Sequence, residues 1–169
     1  MTSPVRDPAT KIVPRDTMVG IRRTLAAQGK TVVFTNGTFD LLHIGHAVYL
    51  HQARCLGDVL VVGLNSDASV RRYKGPRRPV VPQDARARML AALECVDYVV
   101  VFDEDEPRDL IGALEPDVLV KGADWSHYVS GRDIVEARGG RVVLLDLVPG
   151  WSTTALIERI RHAGEEGSP

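Results

Sequence analysis

Disulfides and metal clusters have little material to work with in this chain, whose 169 residues include only two cysteines, Cys55 and Cys95. Both sit in apolar periodic segments and neither belongs to a CxxC pair, so they read as small buried hydrophobes in a reducing cytoplasm. An excess of charge of one sign is missing too. A net charge of −1 removes the basic surplus that a large nucleic-acid footprint requires. No apolar run approaches the ~20 residues that cross a bilayer, and residues 1–11 lack the apolar stretch of a secretory signal. A cytoplasmic protein with neither a nucleic-acid nor a membrane partner is therefore expected. Two glycine-centred phosphate motifs are also absent: there is no GxxxxGK(S/T), and no GxGxxG after a strand-like run. That argues against kinase-type and dinucleotide-type sites.

What remains is an alternation of short β-rich runs and helical stretches. Runs at 31–35, 59–64, 98–102, 118–120 and 141–147 are too short for globular helices and read as buried strands. Helices are predicted at 15–28, closed by Gly29, and near 46–56, 84–95, 107–114, 130–138 and 152–163. This alternation predicts βαβ units with right-handed crossovers. They assemble into an α/β fold, a doubly wound, Rossmann-like parallel sheet with helices on both faces. Residues 1–10 read as a loose polar tail, 11–163 as a single domain and 164–169 as a C-terminal tail. The acidic run 103–106 reads as a solvated loop whose charge favours the next helix N-terminus. Ligands on such sheets bind beyond the carboxyl ends of the strands, and every chemically suggestive segment follows a predicted strand.

The first of these is TNGTFDLLHIGH, residues 35–46. Gly37 allows a sharp turn and a close backbone approach. A helix starting near Gly45 and His46 aims its free N–H groups and positive dipole end into the same space. His43 and His46 are three residues apart, a spacing that sets two imidazoles side by side at that helix start. Together these features suit a polyanionic phosphate whose charge grows in a transition state. Zinc is the competing reading, but no third ligand lies at suitable spacing, so no protein-bound metal is expected.

Further along, Gly63-Leu-Asn-Ser-Asp67 reads either as an ordinary polar turn or as a ligand contact. RRYKGPRRP, residues 71–79, reads as a basic loop that clamps a triphosphate, with Lys74 as its point charge. Gly122 in VKGADW allows close approach to a base, and Asp124 holds a hydroxyl or shapes the loop. Ser152, Thr153 and Thr154 open the last helix, where one hydroxyl caps while another donates to a β- or γ-phosphate.

TNGTFDLLHIGH resembles the signature of the HxGH nucleotidylyltransferase superfamily. From about Lys11 to Arg161 the chain is similar to the nucleotidyltransferase domain of the bifunctional heptose enzymes, through KIVPRDTM, LGDVLVVGLNSDASVRRYKGPRRPV, AALECVDYVVVFDEDEP, PDVLVKGADW and WSTTALIERI. The resemblance implies transfer of AMP from ATP, with Mg²⁺ carried by the triphosphate, to D-glycero-β-D-manno-heptose 1-phosphate. It implies catalysis by His43, His46 and Lys74. Nucleotide contacts are implied at Asn36, Gly37, Thr38, Phe39 and Gly45, at Asn65, Asp67 and Arg86, and at Lys121, Gly122, Asp124 and residues 152–154. Asp40 and Arg77 are implied to meet the acceptor, Asp40 by touching the sugar or by fixing the loop. The family further implies a homodimer and a sugar kinase on a separate chain. A cytidylyltransferase for a polyol phosphate and a non-catalytic nucleotide-binding protein on the same fold are the alternatives; nucleotide choice separates the first of these from the adenylyl reading, and intact His43, His46 and Lys74 argue against the second. Two departures stand out: Thr38 replaces the Cys of many relatives, and residues 124–128 read Asp-Trp-Ser-His-Tyr in place of an Asp-Tyr loop.

Overall fold

A computed structural model describes residues 6–165, so residues 1–5 and 166–169 of the two expected tails lie outside the described residues. Five parallel strands form one sheet in the order β3-β2-β1-β4-β5, with β1 Val32–Gly37, β2 Val59–Asn65, β3 Tyr98–Phe102, β4 Val118–Gly122 and β5 Arg141–Leu145. Chain order reverses between β1 and β4, so the crevice beyond their carboxyl ends is the switch point of the expected α/β fold.

The apolar runs serve both faces of the sheet by alternation. Val33, Leu60, Val62, Val118 and Val120 pack with Leu50 and Ala53 of α2 (Ile44–Arg54) and with Leu90 and Ala91 of α4 (Gln83–Ala92). Val32, Phe34, Val61, Val100 and Leu119 face the other way. They meet Met18 of α1 (Arg15–Ala27), Leu110 and Ile111 of α5 (Arg108–Leu114) and Val135 of α6 (Arg132–Ala137). Thr35 falls among these apolar positions. Its buried hydroxyl is satisfied by Tyr49 Oη at 2.8 Å and by donation to the Val120 carbonyl at 3.1 Å.

Three expectations are corrected. Residues 67–74 are a helix, α3 (Asp67–Lys74), rather than the front of a loop. Ser66 caps it by accepting from the Ser69 amide, and Gly75 ends it at φ 91°. Its only large apolar members are Val70, which is buried, and Tyr73, so three cations hid the helical period. Part of the stretch read as a tail is ordered: Pro8–Lys11 forms a 3-10 turn capped by Asp7, and Ile12 bridges to Val99 of β3. Cys55, read as a buried hydrophobe, is exposed as the C-cap of α2, while Cys95 is partly buried and both thiols are free.

The acidic run does more than sit in solvent. Glu104 pairs with Arg15 at 2.5 Å and Asp105 with Arg72 at 2.6 Å, tying the β3–α5 connection to α1 and α3. At the other edge, β5 is only partly covered, and α7 (Thr153–Glu165) carries an exposed Ile160. No helix among the described residues is long and apolar enough to cross a membrane.

Candidate active site

The loop from Thr38 to His43 is shaped by groups that face inward. Phe39 holds φ at 45°, a left-handed conformation that costs a bulky residue about 1–3 kcal/mol. The strain has a visible use. The Phe39 ring turns back over Gly37, where a β-carbon would lie 3.0 Å away, and meets the His46 ring edge-on at 5.2 Å. Asp40 accepts from the Val80 amide at 2.9 Å, the Val81 amide at 2.8 Å and Arg78 Nε at 2.7 Å. Burial alone would raise the Asp40 pKa, but these hydrogen bonds and the Arg78 charge hold it below the usual carboxylate value. Of its two expected roles the geometry leaves the second, fixing the loop.

His43 and His46 stack with ring centroids 3.8 Å apart and planes 21° from parallel. Nδ1 of each ring is buried without a hydrogen-bond partner among the described residues, as is Asn36 Oδ1 on the same cleft wall. Buried polar atoms are rarely left so, and three together mark a place prepared for a polar ligand. Desolvation lowers both imidazole pKa values. For His46, repulsion from His43 and Lys74 adds to it and brings the pKa to about 4, against a backbone hydrogen bond at Leu41. Both rings are therefore neutral at pH 7 until an anion arrives to favour their charged forms.

Gly45 explains the glycine between the histidines. A β-carbon there would lie 2.9 Å from His43 Cε1 and Nδ1. Gly45→Ala should leave α2 intact, since alanine favours helix, yet push the His43 ring off its partner. Turnover should fall by roughly 10²-fold, the cost of an ångström of misplacement, with an unchanged circular dichroism spectrum. Activity within threefold of the parent would sink this role for the glycine.

The histidines open onto a cleft of two connected lobes, ≈ 330 and ≈ 440 Å³, that share Asn36–Phe39, His46, Lys74 and Lys121. Gly45, Gly122, Asp124 and residues 152–154 line the first lobe, so the N-termini of α2 and α7 converge there. No side chain caps α2. Ser152 caps α7, its Oγ accepting from the Ala155 amide at 3.0 Å, which leaves Thr153 and Thr154 as free hydroxyls on the cleft wall. Asn65 lines the second lobe and is held by donation to Ser69 Oγ at 3.0 Å.

Lys121 lies between the lobes with Nζ 5.8 Å from the centre of the Trp125 ring. Desolvation brings its pKa down to about 8, against the attraction of Asp124 and Glu106. Its charge is present below about pH 8 and is lost as pH rises through that value. The affinity for a nucleoside triphosphate should therefore decline between pH 7 and 9, and Lys121→Met should be weaker throughout and flat over that range. A parent enzyme whose affinity is itself flat would contradict it. Lys74 stands at the mouth, its pKa lowered by desolvation and then by Arg78.

Three expected contacts lie elsewhere. The Arg86 side chain is 0% exposed because α4 presents Arg86, Ala87, Leu90 and Ala91 on its inner face. It donates to the Thr38 carbonyl at 2.6 Å, the Val81 carbonyl at 2.9 Å and Asp67 Oδ1 at 2.7 Å. Arg86 and Asp67 thus brace the motif loop from behind and line neither lobe. Arg77 is exposed and lines neither lobe, since the chain turns at Gly75 and sends Arg78 inward to Asp40 instead.

Several wall residues escaped sequence reading. Trp151 stacks on His43 at 6.1 Å, with the Arg159 guanidinium 4.9 Å from its own ring. Tyr49, Leu147 and Val148 complete the first lobe. An aromatic directly ahead of a Ser-Thr-Thr helix start was the signal available for Trp151. The others sit in apolar periods that look like plain core.

Comparison with known proteins agrees with this geometry. A cytidylyltransferase-like family model matches residues 34–159, more than half of the chain. Bifunctional protein HldE of Syntrophotalea carbinolica is 58% identical over 94% of this chain and 32% of its own length, and HldE of Geobacter sulfurreducens is 58% identical over 92% and 32%. The chain thus spans about a third of the length of these curated relatives. Among solved structures, the lipopolysaccharide core biosynthesis protein from Thermoplasma volcanium superposes with a TM-score of 0.58 at 27% identity, over 71% of this chain and 98% of that one. Pantoate-beta-alanine ligase from Francisella tularensis, at TM-score 0.57 and 15% identity over 80% and 66%, shares the fold. Histidine pair, converging helix ends and family match agree: the chain belongs to the cytidylyltransferase-like family and is a nucleotidyltransferase.

Proposed function

We propose that the chain transfers AMP from ATP to D-glycero-β-D-manno-heptose 1-phosphate, releasing pyrophosphate. The observation that carries the chemistry is the stacked His43–His46 pair, with both Nδ1 atoms buried and unpartnered, beside two helix N-termini. The heptose comes from the sequence resemblance and from HldE relatives at 58% identity.

In this reading an oxygen of the sugar 1-phosphate attacks the α-phosphorus of ATP in line. A bond from that oxygen to phosphorus forms, the bond from the α-phosphorus to the bridging oxygen breaks, and pyrophosphate leaves with the electron pair. No protein nucleophile is needed, because a phosphate monoester is already largely dianionic near neutral pH. The protein positions the two phosphates and stabilises charge. His43 and His46 take up protons as the polyanion binds and donate to the α-phosphate and its bridging oxygen. Lys74 and Lys121 hold the triphosphate, and Thr153 and Thr154 meet the outgoing pyrophosphate. Mg²⁺ keeps several waters and needs one or two carboxylates. Asp124, on the wall of the first lobe, fits as the residue that would hold the ion carried in by the triphosphate, where it would neutralise phosphate charge. A kinase-type reaction must supply the acceptor, and the work belongs to the cytoplasm, where free Cys55 and Cys95 stay reduced.

Purified protein with Mg²⁺ and heptose 1-phosphate is offered ATP, CTP, GTP and UTP separately, and pyrophosphate release is followed. Release with ATP is the expected result. Release with CTP alone would replace the adenylyl assignment with a cytidylyl one, and silence with all four would remove the heptose.

A further inference from the structure

The two lobes of the cleft differ in chemistry. Lys74 and Lys121 line both lobes, but Gly45, Ser152 and Thr154 at the helix N-termini line the first, which suits a polyanion. The second turns toward the carboxyl ends of β2 and β3, and its wall carries Asn65, Tyr73, Asp105, Glu106, Tyr128 and Ser130. Glu106 at the β2–β3 end disfavours a triphosphate beside it, which leaves that end of the lobe, away from Lys74 and Lys121, to an uncharged, hydroxyl-rich group.

The two carboxylates are not equivalent. Asp105 is taken by Arg72 Nε at 2.6 Å. Among the described residues Glu106 has no such cation: its Oε2 accepts from Tyr128 Oη at 2.8 Å and from Ser130 Oγ at 2.9 Å. The nearest arginine along the chain, Arg108, is committed to Asp133 through two bonds of 2.7 Å. A carboxylate braced on one oxygen by two hydroxyls presents its other oxygen as a strong acceptor. Its field already reaches across the cleft, since Lys121 feels it after that of Asp124. A second feature of the same wall points to a ligand: Asn36 Oδ1, buried and unpartnered, belongs to a residue that lines both lobes.

We propose that Glu106, held by Tyr128 and Ser130, is the specificity-determining acceptor for hydroxyl groups of the sugar acceptor, bound in the second lobe with its phosphate toward the histidines. This rests on the reading of the acceptor as a sugar phosphate. Glu106 touches the substrate away from the reacting atoms, so its loss should appear in acceptor affinity and acceptor choice.

The test is calorimetric titration of the full chain, its Glu106→Gln and Glu106→Ala variants and Ser130→Ala. The probes are heptose 1-phosphate, mannose 1-phosphate, glycerol 3-phosphate, inorganic phosphate and a non-hydrolysable ATP analogue. A sugar phosphate should bind the parent at least tenfold more tightly than inorganic phosphate. Glu106→Gln should erase about tenfold of that margin, Glu106→Ala more, and Ser130→Ala a few-fold. Affinity for the ATP analogue, which also reports intact folding, should stay within twofold. Equal sugar-phosphate affinity in parent and both Glu106 variants would overturn the assignment, as would a parent that binds no sugar phosphate better than inorganic phosphate. Glu106-dependent binding of mannose 1-phosphate but not of heptose 1-phosphate would uphold the assignment and remove the heptose from the proposed function.

Discussion

His46→Ala should lower turnover by about 10²–10³-fold, the cost of deleting one donor from a preorganised charge-stabilising site, while ATP affinity changes far less. The ring sits between His43, stacked at 3.8 Å, and the edge of Phe39 at 5.2 Å, and its pKa of about 4 keeps it neutral in the empty cleft. An anion at the unpartnered Nδ1 restores the proton. The charge of the imidazolium is then strongest where the phosphate is most negative, in the transition state, and this is why kcat should fall more than affinity. The measurement is single-turnover pyrophosphate release at saturating ATP, with direct titration of a non-hydrolysable ATP analogue beside it. Turnover within tenfold of the parent would rule out His46 as a stabiliser of the reacting phosphate. A parallel loss of affinity and turnover would make it a uniform binding contact.

Arg86→Met should be the most destabilising single change at the site. The guanidinium is fully buried and gives hydrogen bonds to two loop carbonyls and one carboxylate. Removing it leaves the Thr38 and Val81 carbonyls unsatisfied and strips Asp67 of its partner. Breaking a buried pair from one side costs about 3–5 kcal/mol, which for a domain of this size lowers the melting temperature by roughly 10 °C or more. Asp67→Asn should cost less, because the Asp67 side chain is 25% exposed and can recover water. Thermal unfolding by calorimetry decides between two pictures. A melting temperature within about 3 °C of the parent, together with weak ATP binding, would restore Arg86 to the nucleotide contacts that resemblance assigned it. The same stability loss with little change in nucleotide affinity at low temperature would confirm the brace.

The residues that reach the cleft and those that support it came from the same motifs, and sequence alone separates them poorly. Asp40, Asp67 and Arg86 are charged residues inside motif segments, so resemblance drew them to the ligand. In three dimensions each one satisfies backbone or its neighbour and turns away. Trp151, Tyr49, Glu106 and Tyr128 are far apart along the chain and share no periodic or spacing signal, so their meeting at one cleft had no local trace. Helix α3 was hidden for another reason: eight residues with Val70 as the one buried apolar side chain and three cations among them leave no stripe to read, and Ser66 as cap with Gly75 as stop was the only cue.

The sequence by itself determined the parallel sheet and the place of the histidine pair. Five apolar runs spaced by helical periods admit few other arrangements, and a glycine-bearing turn followed by His43, Gly45 and His46 must present two imidazoles at a helix start. These are local rules, acting over a few residues. Tertiary structure decided which polar groups face the cleft and which hold the frame. A carboxylate or guanidinium is indifferent in sequence between solvent, substrate and backbone, and what settles it is which partner the packed fold brings within hydrogen-bonding distance and whether water can still reach it.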